Sequence, residues 1–125
     1  MRVLIVDDDP GVRRLLRVIL ERDGHEADLA GGGNEAWHRL TTASLPRLLI
    51  LDRMLPDIDG ADLVTRIRAA AHTANLPVLV LTADAGMSGD LDDGSLTRVL
   101  AKPFDLDQLR ELISALAGGR SARPD

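Results

Sequence analysis

Cysteine is absent from the 125 residues. Its absence excludes disulfides, thiolate catalysis and cysteine-built metal centres. Aromatic side chains are almost absent as well. Trp37 and Phe104 are the two present, so any core has to be assembled from Leu, Val, Ile and Ala. Lysine occurs once, as Lys102, beside fourteen arginines. Glutamate is scarce next to aspartate, four against sixteen. Glu favours helix interiors, whereas Asp favours caps, turns and sites, so the acidic residues gather at loop ends, where a cation could be held. No apolar run approaches the roughly 20 residues of a membrane span. After Arg2 only four apolar residues precede Asp7, which is not the pattern of a secretion signal. A cytoplasmic protein that does not engage a membrane is the expectation. The net charge of −5 argues against nucleic-acid binding by this domain.

What is present is enough for one core: the length is that of an ordinary domain, and 45% of the residues are apolar. The chain is organised around residues 47–60. There Leu48-Leu49-Ile50-Leu51 runs into Asp52, and Pro56 and the Asp57-Ile58-Asp59-Gly60 turn follow. An apolar run of this length reads as a strand buried on both faces, as in a parallel sheet. Asp52 then stands at the carboxyl end of that strand, where ligands bind in open α/β sheets.

Taken from the N-terminus, Arg2–Val6 reads as a first strand ending on Asp7-Asp8-Asp9. Asp9-Pro10 is a helix start, with Asp at the cap and Pro in the first turn. Val12, Leu15, Leu16, Ile19 and Leu20 form the inward face of that helix, and Arg13, Arg14, Arg17 and Arg22 the solvated one. Gly24 ends it. Residues 25–30 read as a short second strand. Gly31-Gly32-Gly33 reads as a flexible connection, because no Lys-Ser/Thr follows to make a phosphate loop. Asn34 is expected to cap a helix over 34–42, with Ala36, Trp37 and Leu40 inward. His25 and His38 are expected to be exposed.

A helix over 61–71 follows the third strand and is broken by Asn75-Leu76-Pro77. Residues 78–81 form a fourth strand ending at Thr82-Ala83-Asp84, and residues 98–101 a fifth ending at Lys102-Pro103-Phe104. Asp105 caps a last helix with Leu106, Leu109, Leu112, Ile113 and Leu116 inward, and Gly118-Gly119 stops it. The alternation is a (βα)5 pattern, which calls for a parallel sheet with helices on both faces.

Chemistry collects at the strand ends: Asp7 and Asp8 after the first, Asp52 after the third, Thr82 after the fourth, Lys102 after the fifth. Each has an ordinary explanation as a cap, a surface lysine or a strand threonine. In a parallel sheet, however, these ends share one edge. Carboxylates about 4 Å apart repel by on the order of 4 kcal/mol per pair at an effective dielectric near 20, which a divalent cation relieves. All-oxygen ligands suit Mg²⁺. Lys102 and Thr82 could contact a phosphoryl group, leaving Asp52 as an in-line nucleophile.

These motifs resemble the receiver domain of two-component response regulators. The resemblance rests on Val3-Leu4-Ile5-Val6-Asp7-Asp8-Asp9-Pro10, on 51–60, on Leu81-Thr82-Ala83 and on Lys102-Pro103-Phe104. It covers residues 1–118, with 119–125 as a tail or the start of a linker. It implies a flavodoxin-like doubly wound sheet of order 2-1-3-4-5 and a non-enzymatic signalling role. Phosphorylation of Asp52 by a sensor histidine kinase or phosphotransfer protein is implied, with Asp52, Thr82 and Lys102 as the reacting set. Mg²⁺, for which Mn²⁺ can substitute, is implied to bind Asp8, Asp52, the Met54 carbonyl and, through water, Asp7. The Lys102-Pro103 bond is implied to be cis. An effector domain, a partner protein and a homodimer all remain open. Thr82 and position 99 are implied to carry the switch, and Met54 and Asp84 to tune dephosphorylation. The sequence departs from the family at Val99, where an aromatic residue is usual.

Two rivals are a haloacid-dehalogenase-like phosphatase, through Asp7-Asp8-Asp9, and an unphosphorylated pseudo-receiver. Pro10 and the short chain oppose the first, and the intact acidic set opposes the second. Residues 84–97 hold three glycines and little apolar surface. They are expected to form an irregular or mobile helix, the least ordered part of the domain.

Overall fold

The computed structural model describes residues 1–84 and 89–121. Five parallel strands form one sheet: β1 Arg2–Val6, β2 Glu26–Ala30, β3 Leu48–Asp52, β4 Val78–Thr82 and β5 Thr97–Ala101. Their order is β2-β1-β3-β4-β5, the arrangement the sequence implied. The helices are α1 Pro10–Arg22, α2 Gly33–Thr42, α3 Gly60–Ala69 and α4 Leu106–Ser121. Among the described residues no helix is long and apolar enough to cross a membrane.

Period two in the strands divides the core into two halves. Leu4, Val6, Leu49, Leu51, Val78 and Val80 point toward α2 and α3 and meet Ala36, Leu40, Leu63 and Ile67. Val3, Ile5, Leu48, Ile50, Leu79 and Leu81 point the other way and meet Leu16 and Leu20 of α1 and Leu109, Ile113 and Leu116 of α4. β3 is buried along its whole length, as its unbroken apolar run requires. Each fully buried Leu or Ile there contributes about 1.5–3 kcal/mol.

Local signals placed most of the boundaries. Asp9 caps α1 by accepting from the Gly11 amide at 2.8 Å, Asp59 caps α3 through the Ala61 amide, and Asp105 accepts from the Asp107 amide. Gly24, at φ +87°, follows the end of α1 in the left-handed conformation that glycine adopts without strain.

Several expectations are corrected. Leu15 and Leu106 are exposed rather than inward, because each lies beside the 3.6-residue stripe that actually meets the sheet. His25 is half-buried, its Nδ1 3.3 Å from the N-terminal amine. Asn34 does not cap α2. It lies inside the helix, whose N-cap Gly32 has no side chain. Gly31-Gly32-Gly33 is not merely flexible, since a Cβ on Gly33 would stand 2.0 Å from Ile58 Cγ2. α3 ends at Ala69, with Ala70 as its C-cap, before Asn75-Leu76-Pro77. The buried Thr73 hydroxyl reaches back to the Ile67 carbonyl at 2.7 Å and holds the chain that leaves the helix. α4 passes through Gly118-Gly119 to Ser121. Glycine there costs about 1 kcal/mol relative to Ala but does not forbid a helix.

The irregular segment expected over 84–97 lies partly on residues 85–88, outside those described. The described remainder holds a 3₁₀ turn, Gly89–Leu91, and is tied down from Asp92 onward. β5 is one of the two edge strands, and its outward amides need partners. Asp93 Oδ1 accepts from the Thr97 amide and Asp92 Oδ2 from the Val99 amide, both at 3.0 Å. Residues 92–97 are therefore stapled to the strand rather than loose.

Candidate functional site

Parallel register brings the strand ends to one edge. β1 and β3 are neighbours, and the pairing of Val6 with Leu51 sets Asp7 beside Asp52. β4 flanks β3 and β5 flanks β4, which adds Thr82 and then Lys102. The Lys102 amide donates to the Thr82 carbonyl at 2.7 Å, and the Lys102-Pro103 bond is cis.

Asp7 and Asp52 are buried, 1% and 7% exposed, and Asp8 is exposed. One carboxylate oxygen from each of the three lies within 4.8 Å of the others. At that spacing each pair of charges repels by about 3 kcal/mol at an effective dielectric near 20. Lys102 offsets part of this: its Nζ stands 3.2 Å from Asp7 and 3.4 Å from Asp52. Asp7 also accepts from the Asp9 amide at 2.9 Å, and Asp52 from the Met54 amide at 3.1 Å. Burial pushes the Asp52 carboxyl above the ordinary carboxylate range, and the Asp7 charge adds to the push. The Met54 amide and Lys102 pull against it. The Asp52 carboxyl therefore resists ionisation more than a free one does. The oxygen-only donors of the pocket match a hard divalent cation, and a further positive charge there would favour the ionised form.

Thr82 is buried, and its Oγ1 accepts from the Asp84 amide at 3.1 Å. Asp84 is exposed. The Met54 side chain is 73% exposed, while its backbone stays beside Asp52. Val99 is not part of the edge. It sits mid-strand on β5, packed against the α2–α3 half of the core. A shallow cavity of about 290 Å³, lined in part by Leu45, Arg47, His72 and Pro77, opens at the amino-terminal ends of the strands. It is remote from these residues.

Two supports of the site escaped sequence reasoning. Arg13 falls by periodicity on the solvated face of α1, yet its guanidinium donates to the Asp7 carbonyl at 2.5 Å. Asp57 stands in the sequence only as a turn residue. Its two carboxylate oxygens accept from the Gly33 and Asn34 amides of α2 at 3.0 and 2.9 Å, and these bonds hold its pKa below the usual range. The signal that could have found it is the Gly-Gly-Gly run itself: a helix preceded by glycines has no side-chain cap of its own.

A family model described as the response regulator receiver domain matches residues 3–114. The chain belongs to the response regulator receiver domain family. Its relatives include response regulator Rre1 of Synechocystis, 40% identical over 98% of this chain and 54% of that protein. The receiver thus spans about half the length of that relative. Among solved structures, a putative response regulator from Chloroflexus aurantiacus superposes with a TM-score of 0.83 at 35% identity, covering 94% of this chain and 97% of that one. The response regulator protein TrrA of Thermotoga maritima, in complex with Mg²⁺-BeF, has a TM-score of 0.80 at 32% identity, covering 92% of this chain and 97% of that one. Receivers are signalling modules of two-component systems, and this one carries an acidic pocket of Asp7, Asp8 and Asp52.

Proposed function

We propose that this receiver accepts a phosphoryl group on Asp52 from the phosphohistidine of a sensor histidine kinase or phosphotransfer protein. The observation that carries the reading is the cluster of Asp7, Asp8 and Asp52 with Lys102 Nζ between two of its members. A relative crystallised with Mg²⁺-BeF is consistent with it. Mg²⁺ would be held by Asp8, Asp52 and the Met54 carbonyl, with Asp7 acting through water; Mn²⁺ prefers similar oxygen ligands. When bound, the cation would supply positive charge that offsets the carboxylates and the charge on the transferring phosphoryl group.

The residues of the chain do the rest. An Asp52 oxygen attacks phosphorus in line, the P–N bond to the donor imidazole breaks, and the imidazole leaves with the electron pair. Lys102 supplies fixed positive charge for a phosphoryl oxygen and restrains Asp52. The Thr82 hydroxyl proton is free to turn toward a phosphoryl oxygen while Oγ1 accepts from the Asp84 amide. Met54 and Asp84, each two positions beyond a reacting residue, set the lifetime of the phosphoryl group by shielding or orienting water. The Val99 side chain is too small to report the change as a ring flip, which leaves Thr82 as the residue of the proposed switch that stands at the site; the expected response of residues 84–97 falls in part on residues 85–88, outside those described.

Incubation with a small phosphodonor and Mg²⁺, followed by mass spectrometry, tests the reading. A single adduct on Asp52 is expected, lost in chelator and in Asp52→Asn. An adduct that persists in Asp52→Asn overturns it.

A further inference from the structure

The loop between β3 and α3 follows Asp52 directly and is pinned at its two ends. The Gly60 amide donates to the Arg53 carbonyl at 2.8 Å, and Met54 bridges Asp59 in antiparallel fashion. A Cβ on Gly60 would stand 2.7 Å from Arg53 Cα, so only glycine permits this closure. The middle of the loop is held differently, by α2. Asp57 takes one amide of the first turn of α2 on each carboxylate oxygen, and the Ile58 side chain fills the notch left by Gly33. The bond is reciprocal. α2 has no side-chain cap of its own, and the loop has no other described attachment at Asp57. Met54 stands within this closed loop, and its amide sets one oxygen of Asp52.

We infer that Asp57 is a positioning residue for the acidic pocket: through its clamp on the first turn of α2 it holds the Met54 backbone in register with Asp52 and so sets the affinity of the pocket for a divalent cation. The inference rests on the proposed metal-dependent function. It deepens that function by naming a determinant outside the ligand set. Neighbours that orient a metal site without touching the metal commonly change affinity by about 10–100-fold. A residue on a half-exposed clamp belongs at the low end of that range.

The test is direct Mg²⁺ titration by calorimetry, with no phosphodonor present. Fluorescence of Trp37, the only tryptophan and a residue of α2, is followed in parallel. Asp57→Ala is expected to weaken Mg²⁺ on the order of tenfold. Asp57→Asn retains one acceptor oxygen and is expected to fall between it and the parent. Gly33→Ala attacks the same clamp from the α2 side, by displacing Ile58 without removing a charge, and is expected to weaken Mg²⁺ as well. Each variant is shown to be folded by its thermal transition in chelator.

Asp8→Ala separates the two ideas. If it leaves Mg²⁺ binding intact, the metal reading of the pocket fails. If it abolishes binding while folded Asp57→Ala and Gly33→Ala both bind Mg²⁺ like the parent, the metal reading stands and the positioning role is wrong. Weakening by Asp57→Ala alone, with Gly33→Ala like the parent, overturns the clamp and leaves only the lost charge.

Discussion

Lys102 Nζ faces two carboxylates that the sheet buries side by side. Without it, two neighbouring buried carboxylates would keep their amide donors but lose their cationic partner. Removing one partner of a fully buried pair costs about 3–5 kcal/mol. Lys102 keeps a quarter of its side chain in water, so Lys102→Ala is expected to cost about 2 kcal/mol in chelator at neutral pH. The pH dependence has a definite sign. The Asp52 carboxyl is raised by burial, with a contribution from the Asp7 charge. A raised group stabilises the fold below the ordinary carboxylate range and loses that contribution as pH rises through its folded pKa. The deficit of Lys102→Ala should therefore shrink on acidification as the Asp52 carboxyl protonates. Urea unfolding of parent and variant at neutral and acid pH measures this, and an equal deficit at both would count against the ion pair as the cause.

At the scale of elements, β5 is closed from outside by carboxylates. Asp92 holds the Val99 amide and lies 3.1 Å from Arg98 Nε, while Asp93 holds the Thr97 and Ser95 amides. Burial would raise the Asp92 pKa, but the Val99 and Gly94 amides and Arg98 bring it below the usual range. This edge is therefore stabilised at neutral pH and loosens as pH falls through the lowered pKa. Arg68 supports the same region from α3. It donates to the carbonyls of Ala74, Leu76 and Leu96 and to Thr97 Oγ1. Asp92→Ala is expected to cost about 1 kcal/mol and to leave an edge amide open to strand addition. Sedimentation over a concentration series should show more self-association than the parent at the same pH. A variant that associates no more than the parent would mean that Arg98 and Asp93 protect the edge without Asp92.

For the molecule as a whole, the two halves of the core meet across one sheet whose carboxyl edge carries the pocket, so a ligand held there stabilises the whole fold by mass action. Mg²⁺ at ten times its Kd should add about 1.4 kcal/mol, a rise in Tm of roughly 5 °C for a domain of this size. Asp8→Ala should lose that rise. In chelator the same variant should be as stable as the parent or slightly more so, because one of three mutually repelling carboxylates is gone. Asp8 is exposed, which keeps the gain within about 1 kcal/mol. Thermal melts of both proteins across a Mg²⁺ series decide the matter. An undiminished rise in Asp8→Ala would remove Asp8 from the ligand set.

The sequence by itself determined what short range can encode. The apolar run of β3, the caps at Asp9 and Asp105, and the strand-end positions of Asp7, Asp8, Asp52, Thr82 and Lys102 are all readable within a few residues. They depend on propensity, periodicity and hydrogen bonds to the next turn. The order of the strands followed from the family resemblance rather than from periodicity. Only the tertiary structure decided that Leu15 lies outside the stripe of α1 that meets the sheet, that Arg13 braces the Asp7 carbonyl, and that Asp57 rather than Asn34 caps α2. Asp57 and Gly33 are 24 positions apart, and Arg68 and Thr97 are 29 apart. No local preference links such residues. They meet because burying both faces of the sheet brings their elements together, and backbone amides and carbonyls left at element ends must then find partners across the fold.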